Sequence, residues 1–132
     1  MIKKELLIPE IKNIFKKIQP FILKTPLVNN LNNASELLNT DLSFKMEFFQ
    51  NGGTFKARGA INNVLSLKKK EKNKGVIAVS AGNHAIAVAY ASSILKVNSK
   101  VIMYKNSNLF RLQKVKSLNS DVILADPKKS FL

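Results

Sequence analysis

Gly75-Val76-Ile77-Ala78-Val79-Ser80-Ala81-Gly82-Asn83-His84-Ala85 carries an apolar run through a cluster of small residues into a helical pattern. Val76 to Val79 is short, rich in β-branched residues and bounded by glycine, which reads as a buried strand. Gly82 lets the chain turn sharply, and a helix is expected from about Asn83 to Leu95. The alternation continues with a strand over Lys100 to Tyr104, a helix near Leu109 to Leu118 and a strand over Asp121 to Ala125. Apolar strands separated by helices of about a dozen residues define βαβ units and a parallel sheet. The expected class is therefore α/β, an open parallel sheet with flanking helices.

Upstream of Gly75 the pattern differs. Leu7, Ile11, Ile14, Phe15 and Ile18 recur at helical spacing, with Pro9 tolerable in the first turn, so an amphipathic helix ending before Pro20 is predicted. Thr25-Pro26-Leu27 forces an extended stretch. A short helix is expected around Ala34 to Leu38. Phe44, Met46 and Phe48 alternate with Lys45 and Glu47, which predicts a strand over Ser43 to Phe49, closed by Asn51-Gly52-Gly53. Thr54 is the candidate N-cap of a helix running from Phe55 to about Lys70.

The 132 residues are enough for one modest core and too few for two complete domains. The net charge of +14 raises the question of a nucleic-acid partner. Its distribution argues against one: lysines are scattered over nearly every segment, and only Arg58 and Arg111 supply guanidinium groups for base readout. With no cysteine and a single histidine, thiolate chemistry is excluded and no metal site is expected. No apolar stretch approaches the roughly 18 residues of a bilayer span, and Met1-Ile2-Lys3-Lys4-Glu5 leads into an amphipathic pattern rather than a signal-peptide core. A cytoplasmic protein without membrane partners is expected.

Two strand-to-helix elbows carry the chemistry. At each, free backbone N–H groups at a helix start favour an anion such as a carboxylate or phosphate. Lys56 follows Gly52-Gly53-Thr54-Phe55 at the first elbow and could form a Schiff base with a carbonyl cofactor if its ammonium is partly desolvated. Asn83 offers a donor and an acceptor at the second. Spacing alone leaves the plain alternatives open: a solvated lysine, a glycine turn and a helix cap.

These same residues resemble a known family. Lys45-Met46-Glu47-Phe48-Phe49-Gln50 followed by Gly53-Thr54-Phe55-Lys56-Ala57-Arg58-Gly59-Ala60 is similar to the lysine motif of fold-type II pyridoxal-phosphate enzymes related to threonine dehydratase and serine racemase. Val79-Ser80-Ala81-Gly82-Asn83-His84-Ala85 resembles the family's asparagine loop, and Thr25-Pro26-Leu27, Val101-Ile102-Met103 and Phe110-Arg111 fit the flanking segments. The resemblance covers about residues 20 to 126. It implies that Lys56 holds pyridoxal 5'-phosphate as an internal aldimine and, once freed, removes the substrate α-proton. It further implies that Phe55 lies against the cofactor ring and that Asn83 hydrogen-bonds its phenolic oxygen. Ser80, Ala81, Gly82, Asn83 and His84 would receive the substrate carboxylate. The implied reaction is dehydration of L-threonine or L-serine to a 2-oxo acid and ammonia. Racemases of the group resemble Ser-Ser-Gly-Asn-His at this loop; Ala81 carries no transferable proton, so elimination is favoured over racemisation.

Departures accompany the resemblance. Gly52 stands where threonine is usual, Tyr104 where proline is usual, and Lys96 and Asn119 where glycines are common. The five glycines include no tetraglycine-type phosphate loop, so the expected reading is an N-terminal portion of such an enzyme, incomplete alone. In this tryptophan-synthase-β-like architecture, residues 1–72 would belong to the large domain and residues 73–132 to most of the small one. Phe44, Met46 and Phe48 are then expected to lack cover. A C-terminal-half polypeptide or a homo-oligomer is a possible partner, and a non-catalytic binding or regulatory remnant of the same fold is the alternative.

Overall fold

In the computed structural model, which describes residues 8–29 and 33–126, Pro9 occupies the first turn of α1 (Ile8–Ile18). Its missing N–H costs nothing there, because the first N–H groups of a helix have no helical partner. Leu7 of the same apolar pattern lies outside the described residues. A 3-10 turn over Gln19–Phe21 contains Pro20 and ends the helix where the sequence predicts. β1 (Leu27–Asn29) follows the Thr25-Pro26 stretch. After α2 (Ala34–Leu38), β2 (Ser43–Lys45) pairs antiparallel with β1, Val28 opposite Phe44.

The strand expected over Ser43 to Phe49 is corrected: it stops at Lys45, and two 3-10 turns take over, Glu47–Phe49 and Asn51–Gly53. Tertiary hydrogen bonds override the alternating pattern. Met46 N–H donates to the Pro26 carbonyl at 2.9 Å, Thr25 Oγ1 donates to Glu47 Oε1 at 2.6 Å, and the buried Gln50 side chain bonds both N–H and carbonyl of Leu23. Of the three residues expected to lack cover, Phe48 is well exposed, Phe44 is partly so and Met46 is half-buried.

The next helix is also corrected at both ends. α3 (Lys56–Ser66) begins after Phe55, and the buried, extended Thr54 offers its backbone carbonyl to Ala57 N–H at 3.5 Å without adding a side-chain hydrogen bond to the helix start. The helix breaks at Leu67 and Lys68, and the lysine run forms its own short α4 (Lys69–Lys74). Glu71 sets that break: its carboxylate accepts the Lys68 N–H at 2.6 Å, as an acidic residue three positions into a helix can. Gly75 ends α4 at φ 83°, and a Cβ there would stand 2.7 Å from the Asn98 carbonyl oxygen, so only glycine fits.

From Gly75 onward the expected alternation is present as β3 (Val76–Val79), α5 (Asn83–Ile94), β4 (Ser99–Tyr104), α6 (Leu109–Ser117) and β5 (Asp121–Ala125). The three strands are parallel in the order β3-β4-β5, with Ala78 opposite Val101 and Val101 opposite Val122. α5 is apolar nearly all round because it is covered on two sides. Its Ala87 and Ala91 meet Ala57, Ala60, Ile61 and Val64 of α3, with Ile18 of α1 completing that core. Its Ala85, Ile86 and Ala89 meet Val101 and Met103 of β4 and Val115 of α6. Alanines let the α3 and α5 backbones approach closely, and each of these helices starts with residues singled out in the sequence, Lys56 and Asn83.

Lys96 and Asn119, the positions where glycine is common, both adopt left-handed backbone, φ 54° and 59°, just after α5 and α6. The helix ends are therefore of the type glycine favours, reached here by other residues. Asparagine tolerates this conformation readily; lysine adopts it at a cost. Lys96→Gly is expected to stabilise the fold by about 1 kcal/mol, and Asn119→Gly by less, as read from denaturant midpoints.

Candidate cofactor and substrate site

Lys56 is the first residue of α3, exposed, and lines a cavity of about 560 Å³. One wall is the exposed face of α3, where Lys56, Gly59 and Asn63 follow helical spacing. A second wall is β3 through Val76, Ile77 and Ala78, and a third is the start of α5 through His84 and Val88. The two elbows thus open on one space. Ala60, Val64 and Val88, which line it, also belong to the packed contact between α3 and α5.

Of the residues singled out from sequence, Phe55, Lys56 and His84 line this cavity together. Asn83, exposed, is the first residue of α5 and adjoins His84 without lining the cavity. Ser80, Ala81 and Gly82 form the loop before it, all half-buried, and Ser80 Oγ accepts the Gly82 N–H at 3.2 Å. That bond tightens the loop as a serine turn does. Gly59, Asn63 and Ile77 line the cavity without having been singled out. Counting three and seven positions on from Lys56 would have found the first two. Ile77 comes from strand packing and has no local signal.

Behind α3, on the side away from the cavity, lies a polar network. Arg58 donates through Nε to Glu47 Oε2 at 2.8 Å and through Nη2 to Glu47 Oε1 at 2.7 Å. Lys45 Nζ donates to the Thr25 carbonyl at 2.6 Å. The Arg58 hydrogen bonds, aided by Thr25 and Lys45, hold the Glu47 carboxyl down to about 2 against the opposing effect of its burial. Burial pushes the Tyr90 hydroxyl up, partly offset by Asn51, and that hydroxyl donates to the Phe21 carbonyl at 3.1 Å.

Because Glu47 is depressed in the fold, its contribution to stability is complete above the ordinary carboxylate value of 4.5 and disappears as pH falls through about 2. Wild type is expected to exceed Glu47→Gln by roughly 1–3 kcal/mol near pH 7. That margin should shrink between pH 4.5 and 2 in denaturant unfolding. A margin independent of pH would contradict the ion pair.

A lysine amine, an aromatic ring and the start of α5 at His84 line the cavity, with Asn83 next to His84 in the chain. Nothing lies within 4 Å of where a Cβ would stand at Gly59, which lines the cavity, or at Gly82 in the loop before α5, so the backbone is open at both points. Comparison with known proteins accords with that chemistry. Residues 18–131 match the family model described as pyridoxal-phosphate dependent enzyme, and the chain belongs to that family. It is 44% identical over 87 residues to a phenylserine dehydratase of Ralstonia pickettii, covering 66% of this chain and 27% of that protein. It is 34% identical over 115 residues to a catabolic L-threonine dehydratase of Staphylococcus aureus, covering 87% and 33%. The crystal structure of serine racemase from Dictyostelium discoideum superposes with a TM-score of 0.84 at 35% identity, covering 89% of this chain and 38% of that one. The architecture is therefore that of the fold-type II pyridoxal-phosphate enzymes, and the chain spans about a third of the length of the curated relatives it matches. No helix among the described residues is long and apolar enough to cross a membrane.

Proposed function

We propose that this chain supplies the lysine and asparagine-loop portion of a pyridoxal-phosphate-dependent dehydratase that converts a small hydroxy amino acid, L-threonine or L-serine, to a 2-oxo acid and ammonia. The observation that carries this reading is the single cavity shared by Lys56 and His84 in a chain of this family. Pyridoxal phosphate, when bound, supplies the electron sink for negative charge at the substrate α-carbon. Lys56 would hold it through Nζ and, once released, take the α-proton at that same atom. Phe55 and Asn83 would hold the cofactor beside it. The loop Ser80 to His84 would receive the substrate carboxylate on backbone N–H groups at the start of α5, where the helix dipole favours an anion. His84 needs no imidazole chemistry for that role.

The division into a large-domain portion, residues 1–72, and a small-domain portion, residues 73–132, is part of the proposal. In its favour, the antiparallel pair lies wholly in the first and the three parallel strands wholly in the second. A partner polypeptide carrying the remaining family length, or a second copy of this chain, also belongs to the proposal.

Elimination and racemisation are separated by Ala81. A second acid or base on the opposite face of the substrate is needed for racemisation, and alanine has no proton to give. The test is a chimera in which residues 18–126 replace the corresponding segment of a full-length family member. It is expected to release 2-oxo acid from L-serine with little D-serine, and Ala81→Ser is expected to raise D-serine formation. Comparable dehydration and racemisation with Ala81 in place would sink the reading.

A further inference from the structure

Resting on the assignment of Lys56 above, we infer that Glu47 and Arg58 are positioning residues for Lys56, their paired side chains fixing the first turn of α3 from behind so that the Lys56 amine faces the cavity. Two positions along an α-helix is a rotation of roughly 200°, so Lys56 and Arg58 leave α3 on opposite sides. Their surroundings agree with that. Lys56 lines the cavity shared with His84, whereas Arg58 lines a separate one of about 530 Å³ with Phe15 and Lys45.

The start of α3 needs such an anchor. Phe55, which precedes it, provides no side-chain cap, and Thr54 contributes its backbone carbonyl to Ala57 N–H but no side-chain hydrogen bond to the first turn. An uncapped first turn is the part of a helix most prone to fray. Among the described residues, the groups that tie this turn down are Ala57, fully buried against α5, and Arg58, bound to both oxygens of Glu47. A guanidinium bridging two carboxylate oxygens fixes direction as well as distance. Glu47 is held in turn by Thr25, and Gln50, three residues on, is locked to the backbone of Leu23 by two bonds of 2.9 Å. Residues 21–25 are thus a frame against which the segment ahead of Lys56 is set.

A purely stabilising ion pair would produce the same contacts, so the test compares Lys56 with other lysines on the same molecule. The full chain is incubated with pyridoxal phosphate, the adducts are trapped with borohydride, and labelling at Lys56 is divided by that at exposed lysines such as Lys69 and Lys70, alongside denaturant unfolding. Glu47→Gln is expected to lower this ratio about tenfold, since small misplacements of a reacting group cost that much or more. Arg58→Lys keeps the charge but cannot bridge both oxygens, and a drop of about threefold is expected. Should Glu47→Gln fail to fold, Arg58→Lys decides. An unchanged ratio in folded variants, whatever their stability, overturns the positioning role while leaving Lys56 as the attachment site. A wild-type chain that does not favour Lys56 overturns both.

Discussion

Lys56→Ala is expected to abolish 2-oxo acid formation by the chimera that carries this segment, a loss of at least about 10³-fold. The size follows from the two roles proposed for one atom. Nζ would hold the cofactor and then take the α-proton, and positioned acid–base groups alone contribute about 10²–10⁴-fold. Alanine removes both without disturbing packing, because the Lys56 side chain is exposed at the cavity mouth. The unfolding midpoint should therefore stay within about 0.5 kcal/mol of wild type, the usual range for a surface substitution. Lys56→Arg should not rescue, since guanidinium cannot lose its proton near neutral pH. Retained activity in Lys56→Ala would mean that the reacting amine lies elsewhere.

Ile61→Ala is the substitution expected to cost most in stability. Ile61 is fully buried between α3 and α5, among alanines whose small side chains leave neighbours little to move into the gap. Large-to-small changes at such positions cost about 2–5 kcal/mol, and this one should fall in the upper half because rigid helix backbones surround it. The consequence reaches the site. α3 and α5 carry Lys56 and His84 at their starts, so loosening this interface should also lower borohydride-trapped labelling at Lys56. Denaturant unfolding checks the first effect and peptide mapping the second.

The half of the fold from Gly75 onward was legible because its signals are local and agree with one another. Val76 to Val79 and Ser99 to Tyr104 are apolar runs with turn residues between them and the helices, and the structure departs from the expected boundaries by about one residue. Before Gly75, local pattern and tertiary context conflict. Phe44, Met46 and Phe48 alternate as a strand should, yet the carboxylate of Glu47 and the amide of Gln50 are drawn to Arg58, Thr25 and Leu23, and the chain coils into 3-10 turns. Nothing in the alternation announces partners that lie 11 to 27 residues away. Thr54 is a nearer case: its extended backbone and its carbonyl bond to Ala57 N–H suit the cap its type suggests, but its side chain adds no hydrogen bond to the helix start.

For the site, Lys56 and His84 could be singled out because glycines and small residues precede helix starts, a pattern with a physical purpose. That both open on one cavity depends on the alanine-lined contact of α3 with α5, which spacing along the chain does not express. Lys96 is the converse case. It broke the expected preference for glycine, and the backbone kept the left-handed turn regardless. At that helix end the fold, rather than the residue type, dictates the geometry.

Every role proposed for the site depends on Lys56 being the amine that takes pyridoxal phosphate. Borohydride trapping on the wild-type chain, followed by peptide mapping, measures this most directly. Labelling is expected to concentrate on the peptide carrying Lys56, well above the exposed lysines of α4. Labelling spread evenly over the surface lysines, with Lys56 no more reactive than Lys69, would contradict it.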